Sequence, residues 1–155
     1  MTIATFAAGC FWGVEAKFRQ LKGVISTRVG YTAGSTDNPD YKAVCTGTTG
    51  HAEAIEITFD PTLLSYNTLL EVFWRIHNPT TLNRQGPDIG TQYRSAIFYH
   101  DDEQRQQALD SKQALDTSRY YTEPAVTEIT AVSEFFPAEE YHQCYLEKKG
   151  MGSCH

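Results

Sequence analysis

Residues 52–59 read Ala-Glu-Ala-Ile-Glu-Ile-Thr-Phe, and this run constrains the fold more than any other. Glu53, Ile55, Ile57 and Phe59 share one parity, so they project from one face of an extended strand. Asp60-Pro61 ends the run. Ser65 then caps a helix predicted to reach about His77, with Leu69, Leu70, Phe73 and Trp74 forming its buried stripe. Asn78-Pro79 stops that helix, because the residue before a proline is pushed out of helical conformation. A strand with one apolar face next to a helix with one apolar stripe calls for a sheet layer packed on a helix layer.

The rest of the chain supplies more of both. Strands are predicted at 2–8, 23–32, 95–100 and 125–132. Helices are predicted at 12–21, where Val14, Phe18 and Leu21 fall at helical spacing, and at 102–117. A last helix is predicted from Pro137 to near Lys149, since proline suits a first helical turn. Residues 34–50 are turn-rich, and 80–94 read as a long irregular loop. Strands and helices do not alternate with the regular beat of a parallel sheet. The expected class is therefore α+β: a two-layer α/β sandwich with a mixed, mostly antiparallel sheet and a ferredoxin-like core. No repeat or linker divides the chain, so 1–155 reads as a single catalytic domain, with 150–155 as a mobile, glycine-bearing tail.

Charge and hydropathy exclude several classes. The net charge is −6 and the basic residues are scattered, which argues against a nucleic-acid partner. No apolar run is long enough to span a membrane. Ala7-Ala8-Gly9-Cys10 resembles a lipoprotein cleavage site, but residues 1–6 hold no basic residue and leave no room for an apolar leader core. The expected location is the cytoplasm, where the four cysteines serve as thiols rather than as a disulfide framework.

Cys10 lies in Gly9-Cys10-Phe11-Trp12-Gly13, between a predicted strand and a predicted helix. A helix start favours a thiolate, and the two aromatics provide an apolar wall beside it. The competing reading is a buried structural cysteine. Glu53 shares an apolar face, so burial should raise its pKa and make it a proton donor near neutrality. Alternatively, it snorkels to water from the strand's end. Tyr41, Tyr93 and Asp88 fall in loops bearing glycine and proline, where polar groups serve binding or simply make turns. Cys154 sits one residue from the C-terminus, within Gly150-Met151-Gly152-Ser153-Cys154-His155. One fixed thiol plus one mobile thiol is the layout of a redox cycle. Cys45 reads as a bystander in a loop, and Cys144 as a residue of the last helix with little travel. No Cys-x-x-Cys and no His-x-x-x-His pair occurs, so no metal site is expected. Two other readings remain open: a Cys-His hydrolase pairing Cys10 with His51 or His142, and a peptide-binding aromatic cage of Phe11, Trp12, Tyr41 and Tyr93.

The ordered motifs Gly9-Cys10-Phe11-Trp12-Gly13, Gly50-His51-Ala52-Glu53, Gln85 to Ser95 and Glu140-Tyr141-His142-Gln143 resemble those of the A-type peptide methionine sulfoxide reductases. Asn38-Pro39-Asp40-Tyr41 sits where that family carries a binding tyrosine. The resemblance implies Cys10 as nucleophile, Phe11 and Trp12 as walls of a methyl pocket, and Glu53 as the acid that protonates the sulfoxide oxygen. It implies Tyr41, Tyr93 and Asp88 as binding residues, and Cys154 as the recycling cysteine that forms a disulfide with Cys10. It further implies a monomer that reduces methionine S-sulfoxide, free or in proteins, without a cofactor and with thioredoxin as reductant. Met151 and Ser153 stand where the family commonly has aromatics, and a second tail cysteine is missing.

Overall fold

A computed structural model of the chain describes residues 2–148. Cys154 and the tail expected at 150–155 lie outside the described residues.

Strand β1 (Thr2–Ala8) leads into helix α1 (Phe11–Arg19), which returns as strand β2 (Val24–Thr32). A short helix α2 (Tyr41–Cys45) precedes strand β3 (Ala52–Phe59). Helix α3 (Tyr66–Arg75) follows, and Ser65 caps it by accepting from the Thr68 N–H, as expected. Two short strands, β4 (Arg84–Gln85) and β5 (Asp88–Ile89), form a hairpin of their own. A 3₁₀ turn (Thr91–Tyr93) leads to β6 (Ser95–Tyr99), and the long helix α4 (Asp102–Ser118) leads to β7 (Glu128–Ala131). The described chain ends with β8 (Phe135–Pro137), a 3₁₀ turn (Glu140–His142) and helix α5 (Tyr145–Lys148).

Among the described residues, six strands form one sheet in the order β7-β6-β1-β3-β2-β8. Every neighbouring pair is antiparallel except β6 and β7. The central four strands, β6-β1-β3-β2, with α1 and α3 as the connecting helices, have the βαββαβ order of a ferredoxin-like core. The expected fold class is observed. One face of the sheet presents Ala4, Phe6, Val29, Tyr31, Ile55, Ile57 and Ile97 to the helices. There Phe6 stacks on Phe18 of α1 and Phe73 of α3, at centroid separations of 5.6 and 5.1 Å. The opposite face is built from small residues, Ala7, Ala52, Ala54 and Ala96, with Phe98.

Four expectations fail locally. Residues 80–94, read as an irregular loop, hold the β4–β5 hairpin and a 3₁₀ turn, so Asp88 lies in a strand and Tyr93 in that turn. Residues 34–50 contain α2, whose cap is the Asp40 carboxylate accepting from the Ala43 N–H at 2.7 Å. Tyr41 and Cys45 are thus helical rather than looped. Pro137 belongs to a strand and not to a helix. β8 is an edge strand, where a missing N–H costs no ladder bond, and Phe135 and Phe136 read equally well as strand. Cys144 precedes α5 rather than lying within a long final helix, and its backbone is left-handed, with φ of 53°.

Candidate active site

Gly9 and Cys10 link β1 to α1. Gly9 has φ of 98°, and a Cβ there would meet the Gln85 side chain at 2.7 Å. Its bareness lets the β4–β5 hairpin approach the start of α1. Gln85 fastens that hairpin by accepting from the Asn78 N–H and donating to its carbonyl. Cys10 is the N-cap residue of α1, and its carbonyl accepts from the Val14 N–H at 3.3 Å. The side chain is half-buried and lines a recess of about 340 Å³ with Gly13, Val14, His77 and Asp88.

Glu53 is 1% exposed, on the same strand face as Ile55, Ile57 and Phe59. Its Oε1 accepts from the Phe11 N–H at 3.2 Å, while Oε2 has no partner among the described residues. Burial is the main influence and pushes its pKa up to about 8; the Phe11 amide opposes this, and the negative charge of Asp88 adds to it. The carboxyl is therefore mostly protonated at neutral pH.

The aromatic side is equally specific. Phe11 is 1% exposed and packs against Tyr31, Tyr41 and His142, so its ring backs the wall. Trp12 is partly exposed, stacks on Tyr145 at 3.9 Å and donates from Nε1 to His142 Nδ1 at 2.8 Å. Tyr41 opens α2 and faces Trp12 at 6.3 Å. Burial raises the Tyr41 pKa well above the usual phenol range, followed by a hydrogen bond to Cys45. The pKa of Tyr93, carried by the 3₁₀ turn against β3, is pushed up to about 12 by burial and then by the charges of Glu53, Cys45, Asp88 and Cys10. Cys10, Phe11, Trp12, Tyr41, Glu53, Asp88 and Tyr93 are thus gathered into one neighbourhood from five separate segments.

His51, His77 and His142 take structural roles. His51 accepts from the Gly34 N–H at Nδ1 and donates from Nε2 to the Thr36 carbonyl, which leaves it no nitrogen for a base's work. His77 donates from Nδ1 to the Phe73 carbonyl, and burial lowers its pKa to about 4, so it adds no positive charge to the recess. His142 is fully buried against Trp12. Among the described residues, no group of three His, Cys, Asp or Glu could hold a metal ion.

Glu139 escaped the sequence reading, and His142, read there as a possible base for Cys10, has a contact that reading did not foresee. Glu139 accepts from the Tyr31 hydroxyl at 2.9 Å and from the Tyr41 N–H at 3.1 Å, tying β2 to the start of α2. His142 fixes the plane of the Trp12 indole. Both lie in or beside the Glu140–Gln143 motif, whose position was the available signal.

A ferredoxin-like α+β sandwich that sets a helix-capping cysteine near a protonated carboxyl and an indole defines a thiol-dependent oxidoreductase. A family model described as peptide methionine sulfoxide reductase matches residues 2–155. The chain is 62% identical to "Peptide methionine sulfoxide reductase MsrA" of Methanosarcina mazei over 148 residues, which cover 96% of this chain and 70% of the relative. Among solved structures, it resembles reduced Mxr1 from Saccharomyces cerevisiae with a TM-score of 0.91 and 37% identity, over 99% of this chain and 88% of the other. It also resembles methionine sulfoxide reductase A of Corynebacterium diphtheriae, with a TM-score of 0.85 and 35% identity over 98% and 76%. The chain belongs to the peptide methionine sulfoxide reductase family. Its activity is the reduction of methionine sulfoxide to methionine.

Proposed function

We propose that Cys10 attacks the sulfoxide sulfur while Glu53 protonates the oxygen. Negative charge builds on that oxygen during attack and must be met by a proton or by donors. The observation behind this reading is the buried Glu53 carboxyl, held by the Phe11 amide at the start of the helix that Cys10 caps, with burial raising its pKa. Tyr41 and Tyr93, their phenols kept neutral, donate to the same oxygen. The partly exposed Trp12 indole receives the substrate methyl, and Phe11 supports it from behind. Asp88 raises Glu53 through its charge and so orders the polar side of the recess.

Collapse transfers the oxygen: the S–O bond to the substrate breaks, methionine leaves, and Cys10 becomes a sulfenic acid. The Cys154 thiol then displaces water from that sulfenic acid to form a Cys10–Cys154 disulfide. Cys144 is the weaker partner because burial raises its thiol pKa and leaves less thiolate. A thioredoxin dithiol takes up the disulfide and restores both thiols. The substrate is the S epimer, free or in proteins, and a thioredoxin-dependent cycle fits the cytoplasm.

The test is a single turnover without reductant. Reduced enzyme mixed with methionine sulfoxide should lose two thiols per chain, and peptide mass mapping should find Cys10 joined to Cys154. A Cys10–Cys144 link would reassign the recycling step, and no thiol loss would overturn the cycle.

A further inference from the structure

Glu139 is a carboxylate that the chemistry above leaves unused. Its backbone is held on β2, because the Ala138 N–H just before it donates to the Val29 carbonyl at 2.9 Å. Its Oε1 accepts from the Tyr31 hydroxyl at 2.9 Å and its Oε2 from the Tyr41 N–H at 3.1 Å. Tyr31 is fully buried, so its hydroxyl depends on that partner. Tyr31 is also the register partner of Glu53 across β2 and β3, which sets the two side chains on one sheet face, roughly 5 Å apart at Cβ. A single carboxylate therefore bonds the neighbour of the acid at one oxygen and the residue bearing a phenol donor at the other. Tyr41 has further contacts, of other kinds. Asp40 caps the Ala43 N–H and the Tyr41 phenol bonds Cys45, but both bonds are local to α2 and travel with it. Val44 seats α2 against the core, and Phe11, Trp12 and His142 meet the Tyr41 ring at centroid separations of 6.4, 6.3 and 4.4 Å. Apolar and ring contacts confine the helix yet tolerate sliding, whereas a hydrogen bond fixes distance and direction.

We propose that Glu139 is a positioning residue for the reduction step: it sets the separation between the Tyr41 phenol and the Glu53 carboxyl, so that both reach one sulfoxide oxygen. This rests on the reading of Tyr41 as a donor to that oxygen. A donor serves the developing charge only within about 2.7–3.1 Å of it, so a small slide of α2 loses much of its value. The charge develops only in the transition state, so the loss falls on the rate at saturation rather than on KM. The span of the side chain matters here rather than its charge. In Glu139→Gln the side-chain oxygen can still accept from the Tyr41 N–H, while the amide donates to the Tyr31 oxygen, and both bonds are kept. Glu139→Ala keeps neither, and Glu139→Asp stops one methylene short.

The experiment is a double-mutant cycle, read as single-turnover methionine release from reduced enzyme over a range of methionine sulfoxide concentrations. Glu139→Ala should slow saturated release about tenfold, a part of the roughly 10²–10³-fold that a lost donor costs, with the half-saturating concentration within about twofold of the parent. Glu139→Gln should restore the rate to within about twofold, and in a Tyr41→Phe background Glu139→Ala should cost no more than about a further twofold, because the phenol it positions is gone. An unchanged rate in Glu139→Ala overturns the proposal. So does a full loss repeated in the Tyr41→Phe background, or a Glu139→Gln variant as slow as Glu139→Ala. If Glu139→Ala fails to fold, Glu139→Asp takes its place in the cycle under the same criteria. Tyr41→Phe alone is the control: an undiminished rate there would bring down the reading of Tyr41 as a donor and this inference with it. A slowed Tyr41→Phe together with an additive Glu139→Ala loss would bring down this inference only.

Discussion

The backbone nitrogen of Phe11 donates to Glu53 Oε1 at 3.2 Å, which holds a buried carboxyl at the same helix end that Cys10 caps. An amide donor favours the carboxylate, yet burial outweighs it and the pKa rises to about 8. The acid is thus charged with its proton at the pH where the thiol must act.

The first catalytic step should slow as pH rises through about 8, because the Glu53 proton is lost there. Glu53→Gln should lower the single-turnover rate by roughly 10²-fold or more at pH 7, the scale of losing a positioned proton donor. It should also remove the fall above pH 8. Rapid-quench measurement of methionine release between pH 6 and 10 checks both.

The same residue makes stability depend on pH. The folded pKa of Glu53 lies above its unfolded value of 4.5, so the folded state holds the extra proton between about pH 4.5 and 8. Stability from this group is complete below 4.5 and is lost as pH climbs through 8, on the order of 3–5 kcal/mol. Urea unfolding should therefore show Glu53→Gln gaining on the parent protein as pH goes from 5 to 9.

Cys10→Ser should abolish turnover while leaving unfolding within about 1 kcal/mol of the parent, since the half-buried side chain lines a recess rather than filling the core. Coupled reductase assays and thermal melts measure the two. Turnover above background would remove Cys10 as nucleophile.

Cys154→Ser should release one methionine per enzyme and then stall with thioredoxin as the only reductant. A burst of one equivalent, with no steady state after it, is the expected trace. Sustained cycling would transfer the recycling role elsewhere.

Gly30→Ala tests the sheet edge. A Cβ at Gly30 would lie 2.3 Å from the Phe136 carbonyl and 2.8 Å from the Phe135 ring, so β8 must move off β2. The cost should be about 1–3 kcal/mol, the range for overpacking, read from chemical denaturation.

The order of elements was legible wherever one residue pattern had one meaning. The alternation at 52–59, the Ser65 cap and the Asn78-Pro79 stop all appear where periodicity and turn chemistry placed them. Glu53 was half legible: its strand parity left burial and snorkelling to water both open, and only the packed structure, with the side chain 1% exposed, decides for burial. Pro137 was not legible, because proline fits both a helix's first turn and an edge strand, and the deciding fact is the pairing with Gly30. The Trp12–His142 bond was opaque for a similar reason. Its two residues lie 130 positions apart, and local spacing reports nothing about contacts at that range.

The pairing of β8 with β2 and the bond from Trp12 to His142 join the beginning of the chain to its end. A ribosome that has made only the first 130 residues holds a polypeptide whose indole lacks its imidazole partner and whose β2 edge is bare. Such a nascent product is exposed to strand-to-strand aggregation along β2, and that exposure ends once residues 135–142 emerge and pair.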